Sequence, residues 1–205
     1  MLMTAYQTID DQQLVLLIRS GNHDAFNELV TRHLDRFFRL AFRTLQNQSD
    51  AEDVVQGCFV KFWERPQMWK PGKALFTTWF YRIVLNACHD QMRRDSRTSY
   101  LEPEKLEDKS DAVSSEQSNF EAKQQESLRQ SYLSAGVREL PGPQRDALNL
   151  VVYCELKQQQ AADIMGVSVK AVESLLVRAK RSLAATVAVM QAQEQRNEVF
   201  HAKKN

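Results

Sequence analysis

The chain has 205 residues, an apolar fraction of 43% and a formal net charge of +1, which suits one large domain or two small ones. That apolar content excludes wholesale disorder, and the near-zero net charge argues neither for nor against a nucleic-acid partner. Distribution says more: residues 1–97 carry 13 Lys+Arg against 11 Asp+Glu, residues 98–135 carry 4 against 8, and residues 136–205 carry 10 against 7, so two mildly basic segments flank an acidic one.

Met1 to Asp10 has no basic stretch followed by an apolar one, and no later run approaches the ~18 apolar residues of a membrane span. A cytoplasmic protein with no direct membrane contact is expected. Leu14, Leu17 and Ile18 predict a short helix that Gly21 can end. A longer helix follows, with Phe26, Leu29, Val30, Phe37, Leu40, Ala41 and Leu45 on one stripe. Ser49 and Glu52 have the spacing of a capping box and would open a third helix, with Val55, Phe59 and Phe62 facing inward. Arg65-Pro66 closes it, because the residue before proline disfavours the helical region. A loop around Pro71-Gly72 leads to a fourth helix from about Thr77 to Arg94.

That fourth helix has two faces. Phe80, Ile83, Val84 and Ala87 suit a core, whereas Trp79, Arg82, Asn86, His89, Arg93 and Arg97 recur at spacings of 3, 4, 3, 4 and 4 on another face. Rings with Arg and Asn suit single-stranded DNA, where bases stack and phosphates need cations. Trp63, Trp69, Phe76 and Tyr81 lie nearby in sequence. The competing reading is that the aromatics form core and the basic stripe is solvated. On the third helix Asp50, Glu52, Asp53 and Gln56 face outward, either complementing the helix dipole or meeting a basic protein partner.

Between about 97 and 127 periodicity fails and Ser, Glu, Asp, Lys and Gln dominate, as in a flexible acidic linker. Regular spacing returns at Leu128 and continues to about Met190, before a polar tail over 191–205 that is expected to fray. Within it, QQQAADIMGVSVKAVESLLVRAKRS at 158–182 has the requirements of a helix-turn-helix. Ala162 is small where two helices touch, Gly166 tolerates a left-handed turn, and Ser168 is placed to cap the second helix. Ala161, Met165, Val167, Val172 and Leu175 fall where a core would hold them. Opposite the Val172, Leu176, Ala179, Leu183 face lie Lys170, Ser174, Val177, Arg178 and Arg181, a mix of phosphate partners and short side chains able to approach bases.

Three separated cysteines, Cys58, Cys88 and Cys154, are odd in number and lack paired spacing, which suits buried thiols rather than disulfides. The four histidines, His23, His33, His89 and His201, stand outside any metal-ligand spacing, and no phosphate-cradling glycine loop occurs. No metal, cofactor or catalytic residue is expected. A helix-turn-helix repressor or activator and a helical enzyme are the competing classes. The first leaves the acidic helix and aromatic stripe without a role, and the second lacks a constellation.

Taken in order, DAEDVVQGCFVKFWER at 50–65, FTTWFYRIVLNACHDQMRR at 76–94 and LPGPQRDALNLVVYCELKQQQAADIMGVSVKAVESLLVRAKRSL at 140–183 resemble a bacterial RNA polymerase sigma factor of the extracytoplasmic-function group, in the sigma-70 family. The resemblance implies an all-α chain of two helical domains: a four-helix domain over 10–97 and a helix-turn-helix domain over 128–186. Between them lies a flexible linker at 98–127, and a tail covers 187–205. It implies docking of Asp50, Glu52, Asp53 and Gln56 on the basic clamp helices of the large polymerase subunit. It further implies that Trp79, Tyr81, Arg82 and Asn86, with Arg93, Arg94 and the loop at 66–76, melt and hold the −10 element. Lys170, Ala171, Glu173, Ser174, Val177, Arg178 and Arg181 would read the −35 element, and an anti-sigma factor would control the chain. Two positions depart from the family pattern: Gly57 stands where a longer side chain is usual, and Glu173 where a basic or polar one is. Glu173 either accepts a hydrogen bond from cytosine N4 or pairs with Lys170 or Lys180.

Overall fold

The computed structural model describes residues 6–99 and 132–202, and every regular element among them is helical. Two compact units form, one within Met1–Pro103 together with Asn149–Val169, the other within Glu104–Leu148 together with Lys170–Asn205. The linker expected over 98–127 lies outside the described residues apart from its first two.

Helix α1 (Asp11–Arg19) starts where the Asp10 carboxylate accepts from the Gln13 amide, and ends at Gly21, whose φ of +84° is left-handed. Asn22 then caps α2 (His23–Leu45) by accepting from the Ala25 amide at 2.9 Å. Helix α3 (Gln48–Glu64) is opened by Asn47, whose side chain accepts from the Asp50 amide at 3.2 Å. Ser49 is therefore inside the first turn and the capping box does not form. Asn47 is an equally good cap two residues earlier, and Glu52 instead accepts from Gln48. The chain leaves α3 at Arg65, as Pro66 requires, makes a single 3-10 turn over Pro66–Met68 and enters α4 (Phe76–Ser99).

The core of this unit is aromatic. Phe37 is fully buried on α2, with ring centroids 4.6 Å from Phe80, 4.9 Å from Tyr81 and 6.0 Å from Phe59. Trp69 is also buried and donates its indole N–H to the Ala74 carbonyl at 3.2 Å, which ties down the loop between α3 and α4. His33 reaches the Asp11 carboxylate at 2.8 Å and joins α1 to α2. Burial alone would raise the Asp11 carboxyl, but the hydrogen bond and charge of His33 and the Arg32 guanidinium hold it below its usual range.

Gly57 lies inside α3, and nothing stands within 4 Å of where its Cβ would be. Glycine there costs conformational entropy without relieving any crowding. Gly57→Ala is therefore expected to stabilise the protein by about 0.5–1 kcal/mol, read as a rise in the urea midpoint at unchanged slope. A fall would mean that the open space is needed.

In the second unit, residues 132–139 form α5, followed by α6 (Gly142–Leu148). α5 lies close against α8 (Val169–Ala202), since a Cβ at Gly136 would stand 3.0 Å from the Leu183 side chain. Helix α8 continues to Ala202, so the tail expected to fray over 191–205 is helical as far as it is described. No Gly or Pro follows Gly166, and the Ala, Gln, Glu and Arg there are good helix formers.

The segment between α6 and α8 groups with the first unit, although its sequence places it in the C-terminal domain. After α6 the chain widens into a π-helical turn, Asn149–Tyr153, closed by the Cys154 amide donating to the Asn149 carbonyl at 2.9 Å. Helix α7 (Gln158–Met165) follows and packs against α4. Gly166, at φ +68°, ends it, and the Val167 amide reaches back to the Ala162 carbonyl at 3.1 Å.

Candidate nucleic-acid interface

The acidic face of α3 exists because the opposite face is fixed. Ala51, Val55, Cys58, Phe59 and Phe62 are buried, so the 3.6-residue period turns Glu52, Asp53 and Gln56 to solvent and leaves Asp50 half-buried. Burial, then the charges of Asp95 and Asp53, raise the Asp50 carboxyl above its usual range. Carboxylates crowded in this way repel one another, and a cationic partner relieves that repulsion.

On α4 the buried residues Phe76, Phe80, Val84 and Cys88 leave Arg82, Asn86, Arg93 and Arg94 exposed and Trp79 half-buried at the rim. The Trp79 ring leans on Phe62 at 5.9 Å and on Phe76 at 6.0 Å, so it is braced by the core while one edge stays accessible. Further along, an open cleft is lined by Asp90, Arg93, Arg94 and Arg97. Arg93 pairs with Asp90, whose carboxyl is held down first by that hydrogen bond. The surface is cationic and rimmed by an aromatic ring, a combination that suits an unpaired nucleic-acid strand.

Tyr81 is set apart from these residues. It is buried, its ring stands edge-on to Phe37, and its hydroxyl is hydrogen-bonded to Cys154. Burial foremost pushes the phenol up to about 12 and the Cys154 thiol up to about 11. Of the other aromatics grouped by sequence, Trp69 and Phe76 are core, and Trp63 lies tilted against His23 and Phe26. No sequence signal links Tyr81 to Cys154, since the pairing is long-range.

In α7 and α8, Ala161, Ala162, Ile164, Val172, Leu176 and Ala179 are buried. Val167, expected in the core, is 41% exposed, because it follows the left-handed Gly166 and the chain has already turned outward. Ile164 is buried instead. Lys170, Glu173, Ser174, Val177, Arg178 and Arg181 are exposed, and Ala171 is half-buried. The Arg178 guanidinium folds back on Ser174, 3.3 Å from its carbonyl and 3.2 Å from its hydroxyl. Among the described residues Glu173 makes no ion pair with Lys170 or Lys180, which leaves its carboxylate available.

Sequence comparison places Sigma-70 region 2 on residues 29–98 and Sigma-70 region 4 on residues 131–183. The first therefore covers most of α2 with α3 and α4, and the second runs from α5 into α8. SigE, an ECF RNA polymerase sigma factor of Mycolicibacterium smegmatis, is 33% identical over 159 residues, 78% of this chain and 60% of that protein, so the chain spans less than two thirds of SigE. The ECF RNA polymerase sigma-E factor of Escherichia coli is 32% identical over 86% of this chain and 94% of its own. The RNA polymerase sigma factor CnrH of Cupriavidus metallidurans is 31% identical over 85% of this chain and 93% of its own. The solved structure of CnrH in complex with the cytosolic domain of CnrY superimposes with a TM-score of 0.63 at 27% identity, covering 87% of this chain and 97% of that one. With both sigma-70 regions matched in order and the likeness running nearly end to end in two relatives, the chain belongs to the extracytoplasmic-function sigma factors of the sigma-70 family.

Proposed function

We propose that this chain is the promoter-specificity subunit of a bacterial RNA polymerase. Asp50, Glu52, Asp53 and Gln56 on α3 dock on the basic clamp helices of the large core subunit. Trp79, Arg82, Asn86, Arg93 and Arg94 engage the −10 element with the loop at 66–76, and Tyr81 joins them once uncovered. Lys170, Ala171, Glu173, Ser174, Val177, Arg178 and Arg181 read the −35 element. The polymerase core performs the chemistry, so the chain itself acts as an initiation factor in the cytoplasm. An anti-sigma factor controls it, a partner suggested by CnrH, which is solved with the cytosolic domain of CnrY. The proposed domains are 10–97 and 128–186.

The observation that carries this reading is the coexistence, in one family member, of two exposed cationic faces and one acidic face, each backed by a buried apolar face. Gel shifts of promoter DNA with and without core polymerase test it. A shift that needs both proteins is expected, and a tight shift by the chain alone would point instead to an operator-binding regulator.

Glu173 gives a finer expectation. An exposed carboxylate repels phosphate but accepts from cytosine N4, so Glu173→Ala should relax base preference at one −35 position, a change of about 1–3 kcal/mol between bases. Selection from a randomised −35 library measures this, and an unchanged preference would rule the contact out.

A further inference from the structure

Gly57 stands in the middle of α3, where only proline favours a helix less, and nothing within its own chain calls for glycine. Its φ is outside the left-handed region that Gly21, Gly72 and Gly166 occupy, and no atom lies within 4 Å of the point where a Cβ would sit. The residue is half-buried on the outer side of the helix, away from Val55, Cys58, Phe59 and Phe62. Its surroundings indicate what the glycine is for. Asp50, Asp53, Gly57, Val60 and Glu64 succeed one another at spacings of 3, 4, 3 and 4, the seam along which a second helix lies. Asp53 and Glu64 are exposed on either side, Asp50 is half-buried and Lys61 is exposed at the edge. The centre of the seam is a missing side chain beside Val60, which is 53% exposed. A seam held by charge alone would accept any residue at its centre. One with glycine there lets a neighbouring backbone come close and leaves a hole for a knob.

We propose that Gly57 and Val60 form an apolar notch that seats a bulky side chain from a basic helix of the polymerase core, so that this chain gives up helix stability for core binding. The proposal rests on the functional reading above and adds to it. Acids at both ends of the seam select a cationic helix, and Gly57 sets how near that helix comes. A second copy of this chain is the wrong occupant, because its acids would meet these and like charges across an interface repel. The acids then govern steering and salt dependence, while the notch governs how long the complex lasts.

The test compares the full chain with Gly57→Ala, Gly57→Leu and Val60→Ser, each titrated on labelled core polymerase at two salt concentrations, with urea unfolding alongside. Both glycine replacements are expected to raise the urea midpoint, because alanine and leucine favour a helix more. Core binding should nevertheless weaken, about threefold for Gly57→Ala and about 30-fold for Gly57→Leu, as overfilling a packed contact costs more with each added carbon. Val60→Ser should weaken it about fivefold by removing the apolar wall of the notch. These losses should persist at the higher salt, which screens charges but not packing. Unchanged binding by Gly57→Leu beside a parent that binds would overturn the notch alone, and so would a loss no greater for leucine than for alanine. A parent that did not bind core would overturn the functional reading and the notch together. A dimer of the free chain on gel filtration, abolished by Gly57→Leu, would assign the seam to a second copy and also overturn the proposal. If Gly57→Leu unfolds, Gly57→Ala and Val60→Ser decide.

Discussion

Replacing Glu52 and Asp53 together by lysine is expected to weaken binding to core polymerase by about 100-fold, or about 3 kcal/mol, with little change in thermal stability. Both side chains are exposed on α3 and none of the buried contacts of that helix involves them. Burial first, and then the charges of Asp95 and Asp53, raise the Asp50 carboxyl, so Asp53 already adds to repulsion among the acids in the free chain. Reversal would relieve that repulsion slightly and give up only the exposed Gln48–Glu52 hydrogen bond, so the folded state loses little. On the docking surface proposed for α3, the same change would place like charges opposite a basic partner and reverse the sign of the interaction. Titration of labelled core polymerase at two salt concentrations measures the loss, which should shrink as salt screens the charges. Undiminished binding would move the docking surface away from α3.

Phe37→Ala should have the largest effect on folding, lowering stability by about 3–5 kcal/mol. The ring is fully buried and touches Phe59 on α3, Phe80 and Tyr81 on α4 and His33 on its own helix. A hole at that point loosens α4 against both neighbours and so blurs the face that carries Trp79 and Arg82. Trp79→Ala is a useful contrast. That ring is half-buried at the rim, so it should lose DNA binding with a much smaller loss of stability. Thermal unfolding of both variants separates the two roles, and a melting temperature for Phe37→Ala equal to that of the parent would refute the packing described.

Much of this was legible in the sequence because the signals are local. The period of Val55, Phe59 and Phe62 fixes which face of α3 is buried, and therefore which face carries the acids. Gly21 and Gly166 mark helix ends because left-handed turns exclude most other residues. The misreadings also have local causes. Asn47 competes with Ser49 for the same cap, and the polar 191–205 stretch looks like a fraying tail although its residues favour helix. The long-range facts were not legible. Tyr81 reads as part of a nucleic-acid face by its neighbours in sequence, but its hydroxyl is engaged by Cys154, far along the chain. The polar, half-satisfied contact between Thr44 and Asn149 leaves no periodic trace either.

The central claim, that this chain directs promoter-specific initiation, is tested most directly by run-off transcription with purified core polymerase on a library of upstream regions. Transcripts starting at defined promoters are expected only when the chain is present, and should be lost when Glu52 and Asp53 are reversed. No promoter-dependent transcript, beside a control sigma factor that is active with the same core, would contradict it.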